Sequence, residues 1–290
     1  MSNERRKVGF IGLGVMGQAM ASHIQNHGYP LFIYNRTKEK GKLLIEKGAI
    51  WCNTPKEVVE NADVVFTILG FPEDVEEIYL GENGLITNGR EGQFFIDMTT
   101  SSPSLAVKLY EEGKKKGIHV LDAPVSGGDI GAKEARLAIM VGGDKEAFES
   151  ILPIFKTMGT NVVYQGQAGF GQHTKMANQI AIASNMMGVS EALIYAIKAG
   201  LDAELVLQTI ETGAAGSFSL SKLGPRMLIE DYSPGFFIKH FIKDMKIALN
   251  EAEKMGLELP GLSLAKKLYE SLAENGEENS GTQALIKYYR

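Results

Sequence analysis

Short apolar runs alternate with helical segments from Arg6 to about Tyr164. The runs are rich in Val, Ile and Phe and show little alternation of apolar with polar residues, which is typical of strands buried on both faces. Strands that alternate with helices indicate βαβ units with right-handed crossovers and a parallel sheet. The predicted strands span residues 8–11, 31–34, 64–69, 94–97 and 119–122.

The pattern changes after Gly171, where no further strand is predicted. Residues 172–199 contain no proline and predict one long helix, and the remainder predicts shorter helices followed by a polar loop at 274–280. The breaks between these helices are predicted at Gly224-Pro225, at Ser233-Pro234 and at 256–260.

Dense glycines between Gly166 and Gly171 place the domain boundary. The chain is therefore predicted to hold an α/β domain over residues 1–166, built on a doubly wound parallel sheet. An all-helical domain over residues 167–290 follows and begins with the long helix. A length of 290 residues agrees with two domains.

Composition narrows the classes of function. Cys52 is the single cysteine, which excludes an internal disulfide and fits the reducing cytoplasm; its apolar neighbours predict a buried, unreactive thiol. No signal-peptide core and no run of about 18 apolar residues is present, so no membrane partner is expected. The net charge is −5 and basic residues alternate with acidic ones, so no nucleic-acid partner is expected.

A glycine-rich turn follows the first predicted strand. It reads Gly12-Leu13-Gly14-Val15-Met16-Gly17 and precedes a helical pattern. In a Rossmann-type domain the first glycine makes the turn, the second lets the backbone approach a pyrophosphate, and the third lets helix and strand pack closely. The pyrophosphate then lies on amides at the helix N-terminus. Strand, turn and helix in this order predict a dinucleotide site.

The end of the second predicted strand carries Asn35-Arg36-Thr37. Sites that prefer NAD usually have an acidic residue here for the ribose hydroxyls, and none is present. The Arg36 guanidinium can fork onto a 2′-phosphate, and Asn35 and Thr37 can donate hydrogen bonds. The sequence therefore favours NADP over NAD; the alternative is a solvated loop that ends a strand.

Residues 122–128 directly follow a predicted strand, at the edge of the sheet where α/β proteins bind ligands. The Ser126 hydroxyl and the amides of Gly127 and Gly128 can cradle an anion such as a carboxylate. The alternative is a glycine turn that only links strand to helix.

Two polar groups lie on otherwise apolar helical segments. Lys175, Asn178 and Gln179 are spaced to share one face of the long helix, which suits a cleft with a general acid/base, although a surface lysine is the alternative. Lys243 and Asp244 are predicted to open a later helix, and they face either the same cleft or solvent.

These stretches together resemble the β-hydroxyacid dehydrogenase family, which includes 3-hydroxyisobutyrate dehydrogenase, tartronate semialdehyde reductase and the glyoxylate and succinic semialdehyde reductases. The resemblance spans nearly the whole chain. It depends on the order and spacing of four stretches: residues 12–17, 122–128, 171–179 and 243–244.

The resemblance implies a role for each of these positions. Lys175 matches the catalytic lysine. Many members have asparagine where this chain has Gln179, preceded by Asn178, so either amide is a candidate for the substrate contact. The implied substrate contacts are Ser126, Gly127, Gly128, Phe236 and Asp244, and the implied cofactor contacts beyond the glycine turn are Leu69, Gly70, Thr100 and Lys243.

The implied reaction is hydride transfer between a nicotinamide and a small hydroxy acid or its semialdehyde, anchored by its carboxylate in a cleft between the domains. No metal is expected, and the resemblance implies a homodimer or homotetramer. Three alternatives are a non-catalytic binding module, an imine reductase and a 6-phosphogluconate dehydrogenase. The presence of Lys175 disfavours the first two, and the chain length disfavours the third.

Overall fold

The computed structural model describes residues 5–290 and divides into two compact units. One unit runs up to Lys175 and the other from Met176 to Arg290, so the division falls inside a single long helix.

The first unit is built on one nine-stranded sheet. Its strand order is β3-β2-β1-β4-β5-β6-β8-β7, with β9 paired to β8. The strands are β1 Val8–Ile11, β2 Leu31–Tyr34, β3 Ile50–Trp51, β4 Val64–Thr67, β5 Phe94–Asp97, β6 His119–Asp122, β7 Val125–Ser126, β8 Leu137–Gly142 and β9 Gly159–Gly166.

The sheet is mainly parallel, as the apolar runs predict. All five predicted runs form strands, although β4 ends at Thr67 rather than at residue 69. The antiparallel pairs β6–β8 and β7–β8 were not predicted, and they place the residues of β7 in a strand rather than in a loop.

Helices cover the sheet on both faces, which makes it doubly wound. Neighbouring strand residues enter different cores: Phe10 packs in one cluster with Phe66 and Phe155, whereas Ile11 packs in another with Tyr79. This alternation follows from the period of two along a strand. The helices are α1 Gly17–Asn26, α2 Lys42–Glu46, α3 Pro55–Asn61, α4 Pro72–Leu80, α5 Leu85–Asn88, α6 Pro103–Lys114, α7 Gly128–Lys133 and α8 Lys145–Phe155.

The second unit, from Met176 to Arg290, consists of helices joined by turns and loops, with an isolated bridge between Phe237 and Gly281. Its core contains Met186, Phe241 and Tyr269, all fully buried. Short π-helical segments occur at Ser219–Leu223 and Ala273–Glu277, and a 3₁₀-helix occurs at Thr282–Tyr289. The helices are α9 Phe170–Lys198, which starts in the first unit, α10 Ala203–Ile210, α11 Gly224–Leu228, α12 Ile238–Lys254 and α13 Pro260–Leu272.

Two local predictions in this unit are wrong. Lys243 and Asp244 do not open a helix, because α12 begins five residues earlier at Ile238. The polar stretch 274–280 is not a loop throughout, since Ala273–Glu277 forms a helical turn that is interrupted at Asn275 and Gly276.

Helix α9 is long and apolar enough, by length and composition, to cross a membrane, since one 18-residue window has a mean hydropathy of 1.5. About a third of that window is buried, 33%. Met186 and Leu193 are fully buried and pack with Phe241 in the helical core. A core helix of this kind passes the same test without entering a bilayer.

Candidate functional site

The glycine-rich turn has the geometry of a cradle. Gly12 has φ +98°, and a Cβ there or at Gly17 would collide with backbone carbonyl oxygens. A Cβ on Gly14 would meet nothing within 4 Å. The first and third glycines are therefore required by packing, while the second borders open space. These residues fit a dinucleotide whose pyrophosphate lies against the start of α1.

The loop after β2 is held in place by Asn35. Its Oδ1 accepts a hydrogen bond from the Leu13 amide at 2.9 Å, and its Nδ2 donates to the Thr37 carbonyl at 2.9 Å. Arg36 follows with its side chain 83% exposed and its Nη1 3.4 Å from Asp74 Oδ1. The loop thus presents an accessible guanidinium beside the glycine turn, with one carboxylate next to it.

Loops at the carboxyl ends of β4 and β5 are joined by Thr99. The Leu69 amide donates to Thr99 Oγ1 at 2.8 Å, and the Thr99 amide donates to Asp97 Oδ1 at 3.0 Å. Gly70 and Thr100, which follow in these two loops, are half-buried. The predicted cofactor residues after β4 and β5 therefore share one hydrogen-bonded framework.

Two buried carboxylates end adjacent strands, since Asp97 on β5 pairs in register with Asp122 on β6. Burial raises the pKa of Asp97 to about 6, although hydrogen bonds from Thr99 and Thr67 offset part of the rise. Burial also raises the pKa of Asp122, against the hydrogen bonds from the amides of Gly169 and Gln172. Both of these amides lie 2.8 Å from carboxylate oxygens of Asp122.

Gln172 connects the start of α9 to the loop after β5. Its side chain is fully buried; Nε2 donates to the Thr99 carbonyl at 2.7 Å, and Oε1 accepts from the Ser101 amide at 3.0 Å. Lys175 lies three residues further along α9, on the same side of the helix, and is only 6% exposed. Lys175 is therefore not the surface lysine that its spacing alone would allow.

The stretch 125–128 changes direction sharply at the edge of the sheet. Ser126 ends β7, Gly127 has φ +133° and Gly128 has φ +64° where α7 begins. A Cβ on Gly128 would meet nothing within 4 Å, so the backbone borders open space there. The two glycines do link strand to helix, and their conformation also leaves the backbone accessible to a ligand.

The second unit contains a polar cluster of its own. Gln179 Nε2 donates to Asp244 Oδ2 at 2.6 Å, and Asn178 Nδ2 donates to Gln179 Oε1 at 2.7 Å. Lys243 Nζ lies 3.1 Å from Asp244 Oδ1. Asp244 is fully buried and the Lys243 side chain is 11% exposed, so this pair does not simply face solvent. The ring of Phe236 packs edge-on to Phe241, with centroids 5.7 Å apart.

Sequence reasoning missed the residues that hold these loops. Asp97, Thr99 and Gln172 were not predicted to have a role, and Asp122 was noted only as the start of a loop. One signal was present: Gln172 is a polar residue one helical turn before Lys175, on the same face.

The described residues offer little support for a metal site or for a reactive thiol. Within residues 5–290 no three His, Cys, Asp or Glu side chains are grouped so as to hold a metal ion. Cys52 is 3% exposed, and burial together with Glu57 raises its pKa to about 11, which makes it a poor nucleophile.

Comparisons with known proteins cover both units. Residues 7–166 match the NAD-binding domain of 6-phosphogluconate dehydrogenase, and residues 169–289 match the NAD-binding domain of NADP-dependent 3-hydroxyisobutyrate dehydrogenase. An uncharacterized oxidoreductase of Bacillus subtilis, YkwC, is 62% identical over 98% of this chain and 99% of its own length. The 2-hydroxy-3-oxopropionate reductase of Escherichia coli is 38% identical over 97% of this chain and 96% of its own. A structure of Mycobacterium tuberculosis 3-hydroxyisobutyrate dehydrogenase with L-serine superposes with a TM-score of 0.89, at 27% identity over 99% of both chains.

Proposed function

Because the chain belongs to the 3-hydroxyisobutyrate dehydrogenase family of NAD(P)-dependent β-hydroxyacid dehydrogenases, we propose that it interconverts a small β-hydroxy acid and its semialdehyde, with NADP as the preferred cofactor and Lys175 as general acid and base.

The observation that carries this proposal is the burial of Lys175 on a helix whose first turn is bonded to the loop after β5. A bound nicotinamide cofactor supplies or accepts the hydride. During reduction the Lys175 ammonium donates a proton to the carbonyl oxygen as the carbonyl carbon gains the hydride. In the reverse direction the lysine amine takes the hydroxyl proton back, so one residue serves both directions.

The proposed substrate is a short carboxylate. The Ser126 hydroxyl and the amides of Gly127 and Gly128, the last of which borders open space, supply neutral donors for a carboxylate. Of the two candidate amides, Asn178 is the better substrate contact, because it is half-buried whereas Gln179 is 1% exposed. The name of the E. coli relative supports a short oxo acid of this kind.

The preference for NADP rests on the loop after β2. Arg36 is an exposed cation directly after β2, and no carboxylate occupies the end of β2 where it would bind ribose hydroxyls and repel a phosphate. Asp74, from the start of α4, is the nearest anion to the Arg36 guanidinium.

The test is the oxidation of NADPH and of NADH with glyoxylate and with succinic, tartronate and methylmalonate semialdehydes, for the wild type beside Lys175→Met. Loss of a general acid is expected to lower kcat by about 10²- to 10⁴-fold. The Kd for NADPH, measured by fluorescence, should change little. Lys198→Met is the matched control, since Lys198 is exposed in the last turn of the same helix. Turnover retained by Lys175→Met would remove the proposed role of the lysine, and no turnover by the wild type would remove the proposed substrate class.

A further inference from the structure

We infer that Gln172 is a positioning residue that fixes the first turn of α9, and with it Lys175, against the loop that carries Thr100. This inference rests on the proposed role of Lys175.

The Gln172 side chain spans one residue of that loop. Its Nε2 donates to the carbonyl of Thr99 and its Oε1 accepts from the amide of Ser101, so the two bonds flank Thr100 on both sides. Thr100 is one of the cofactor contacts that the family resemblance implies. A single planar amide thereby fixes the backbone before and after this residue, and Lys175 follows one helical turn later.

The backbone of Gln172 is fixed just as firmly. Its amide donates to Asp122 Oδ2 at 2.8 Å, while the Gly169 amide donates to Oδ1 of the same carboxylate at 2.8 Å. Gly171 lies so close that a Cβ there would be 2.8 Å from the carbonyl oxygen of Asp122. The start of α9 therefore has no room to slide along the end of β6.

The same loop is bonded on its far side. Thr99 accepts from the Leu69 amide through Oγ1, and its own amide donates to Asp97. Gln172 is consequently the link between the beginning of α9 and the two cofactor-side loops after β4 and β5. Losing its side-chain amide would release this link without removing any group that touches substrate or cofactor.

Two bonds to the loop after β5 account for a polar side chain at this fully buried position. A buried amide must have its hydrogen bonds satisfied, and here both ends of the amide are bonded. An apolar replacement would leave the Thr99 carbonyl and the Ser101 amide without these bonds, which also lowers stability. What an apolar side chain cannot supply is the direction of two bonds to a loop. Misplacement of a reacting group by about 1 Å can cost about 10²-fold in rate.

The test compares Gln172→Met with Gln165→Met in the full-length protein. Gln165 is half-buried on β9 and accepts a hydrogen bond from Thr174 on the same helix, so it controls for loss of a glutamine contact to α9. Rates are measured with whichever of glyoxylate and the three semialdehydes the wild type reduces fastest. Gln172→Met is expected to lower kcat by about 10- to 100-fold, to leave the Kd for NADPH within about twofold, and to raise the deuterium isotope effect from 4-deuterated NADPH. Hydrogen exchange of the Ser101 amide should accelerate in this variant without any cofactor present, and Gln165→Met should match the wild type in each measurement.

The double variant Lys175→Met/Gln172→Met separates this inference from the proposed function. If Gln172 acts through Lys175, adding Gln172→Met to Lys175→Met should lower kcat by no more than about twofold. Loss of activity in Lys175→Met with an unchanged kcat in Gln172→Met would overturn the inference alone. Activity retained in Lys175→Met would overturn the proposed function. If Gln172→Met does not fold, Gln172→Asn, whose amide is too short to reach both loop groups, should show the same loss of kcat, and a wild-type kcat in that variant would likewise overturn the inference.

Discussion

The carboxylate of Asp97 makes the stability of the first unit depend on pH in an unusual direction. Asp97 is 4% exposed at the end of β5, and burial raises its pKa from 3.8 to about 6. The folded state therefore binds this proton more tightly than the unfolded chain does. The stability that the proton contributes is complete below about pH 4 and is lost as the pH rises through about 6.

The magnitude follows from the rise in pKa. Each pKa unit corresponds to about 1.36 kcal/mol, so a rise of about two units costs the folded state about 3 kcal/mol once the group is ionised. By the same linkage about 2 kcal/mol of this cost develops between pH 4.5 and pH 8. In Asp97→Asn the amide oxygen can still accept from the Thr67 hydroxyl and the Thr99 amide, and no charge forms at any pH.

The assay is urea unfolding at intervals between pH 4.5 and pH 8, followed by the fluorescence of Trp51. This residue is the single tryptophan and lies in β3, so its signal reports the first unit. The free energy of unfolding of Asp97→Asn minus that of the wild type is expected to increase by about 2 kcal/mol over this range. A constant offset between the two proteins does not affect the test. The exposed change Glu46→Gln is the control and should run parallel to the wild type. Parallel curves for Asp97→Asn and the wild type would refute the reasoning.

Two further predictions concern the cofactor loop and assembly. Arg36→Ala should weaken NADPH binding by about tenfold, the loss of one charge-assisted contact, while leaving NADH nearly unchanged; Asp74→Asn should favour NADPH because it removes the carboxylate 3.4 Å from the guanidinium. Fluorescence titrations with both cofactors measure this, with the exposed Lys42→Ala as control, and equal losses for NADPH and NADH in Arg36→Ala would contradict a phosphate contact. The helical unit exposes the large apolar side chains of Tyr195, Leu205 and Phe218, at 75%, 58% and 60%, and we expect a homodimer or homotetramer that covers such residues. Light scattering should show an oligomer that Tyr195→Glu weakens, whereas a monomeric wild type at micromolar concentration would contradict this expectation.

The sequence predicted those parts of the fold that local patterns determine. The five apolar runs became strands because strands buried on both faces need apolar residues at nearly every position. Helix α9 spans Phe170–Lys198, close to the predicted 172–199, because no proline interrupts it. The glycine turn was predictable because glycine alone tolerates the backbone at Gly12 and the packing at Gly17.

Features that depend on distant residues were not predictable in this way. The strand β7 has two residues and acquires its partner β8 only after a helix intervenes. The start of α12 was misplaced because Phe237 stands at its N-cap and makes no side-chain capping hydrogen bond, so the sequence carries no start signal there. Gln172 bonds to Ser101 and to Thr99, which lie 71 and 73 positions earlier in the chain. The periodicity of apolar residues carries no information about contacts over such a separation.

The polar groups at the carboxyl edge of the sheet therefore divide into two kinds, and this division supports the assignment of Lys175. Both oxygens of Asp122 accept backbone amides, and Oδ1 of Asp97 accepts from Thr67 and Thr99. A carboxylate whose oxygens already accept the hydrogen bonds that hold loops is poorly placed to reach the reacting atoms of a substrate. Lys175 differs from the two aspartates because it is a buried basic residue. It lies on α9, one turn after Gln172, which holds the loop. We therefore propose the lysine, rather than either aspartate, for the acid–base step, and expect Asp97→Asn to leave the pH dependence of kcat unchanged while Lys175→Met removes it.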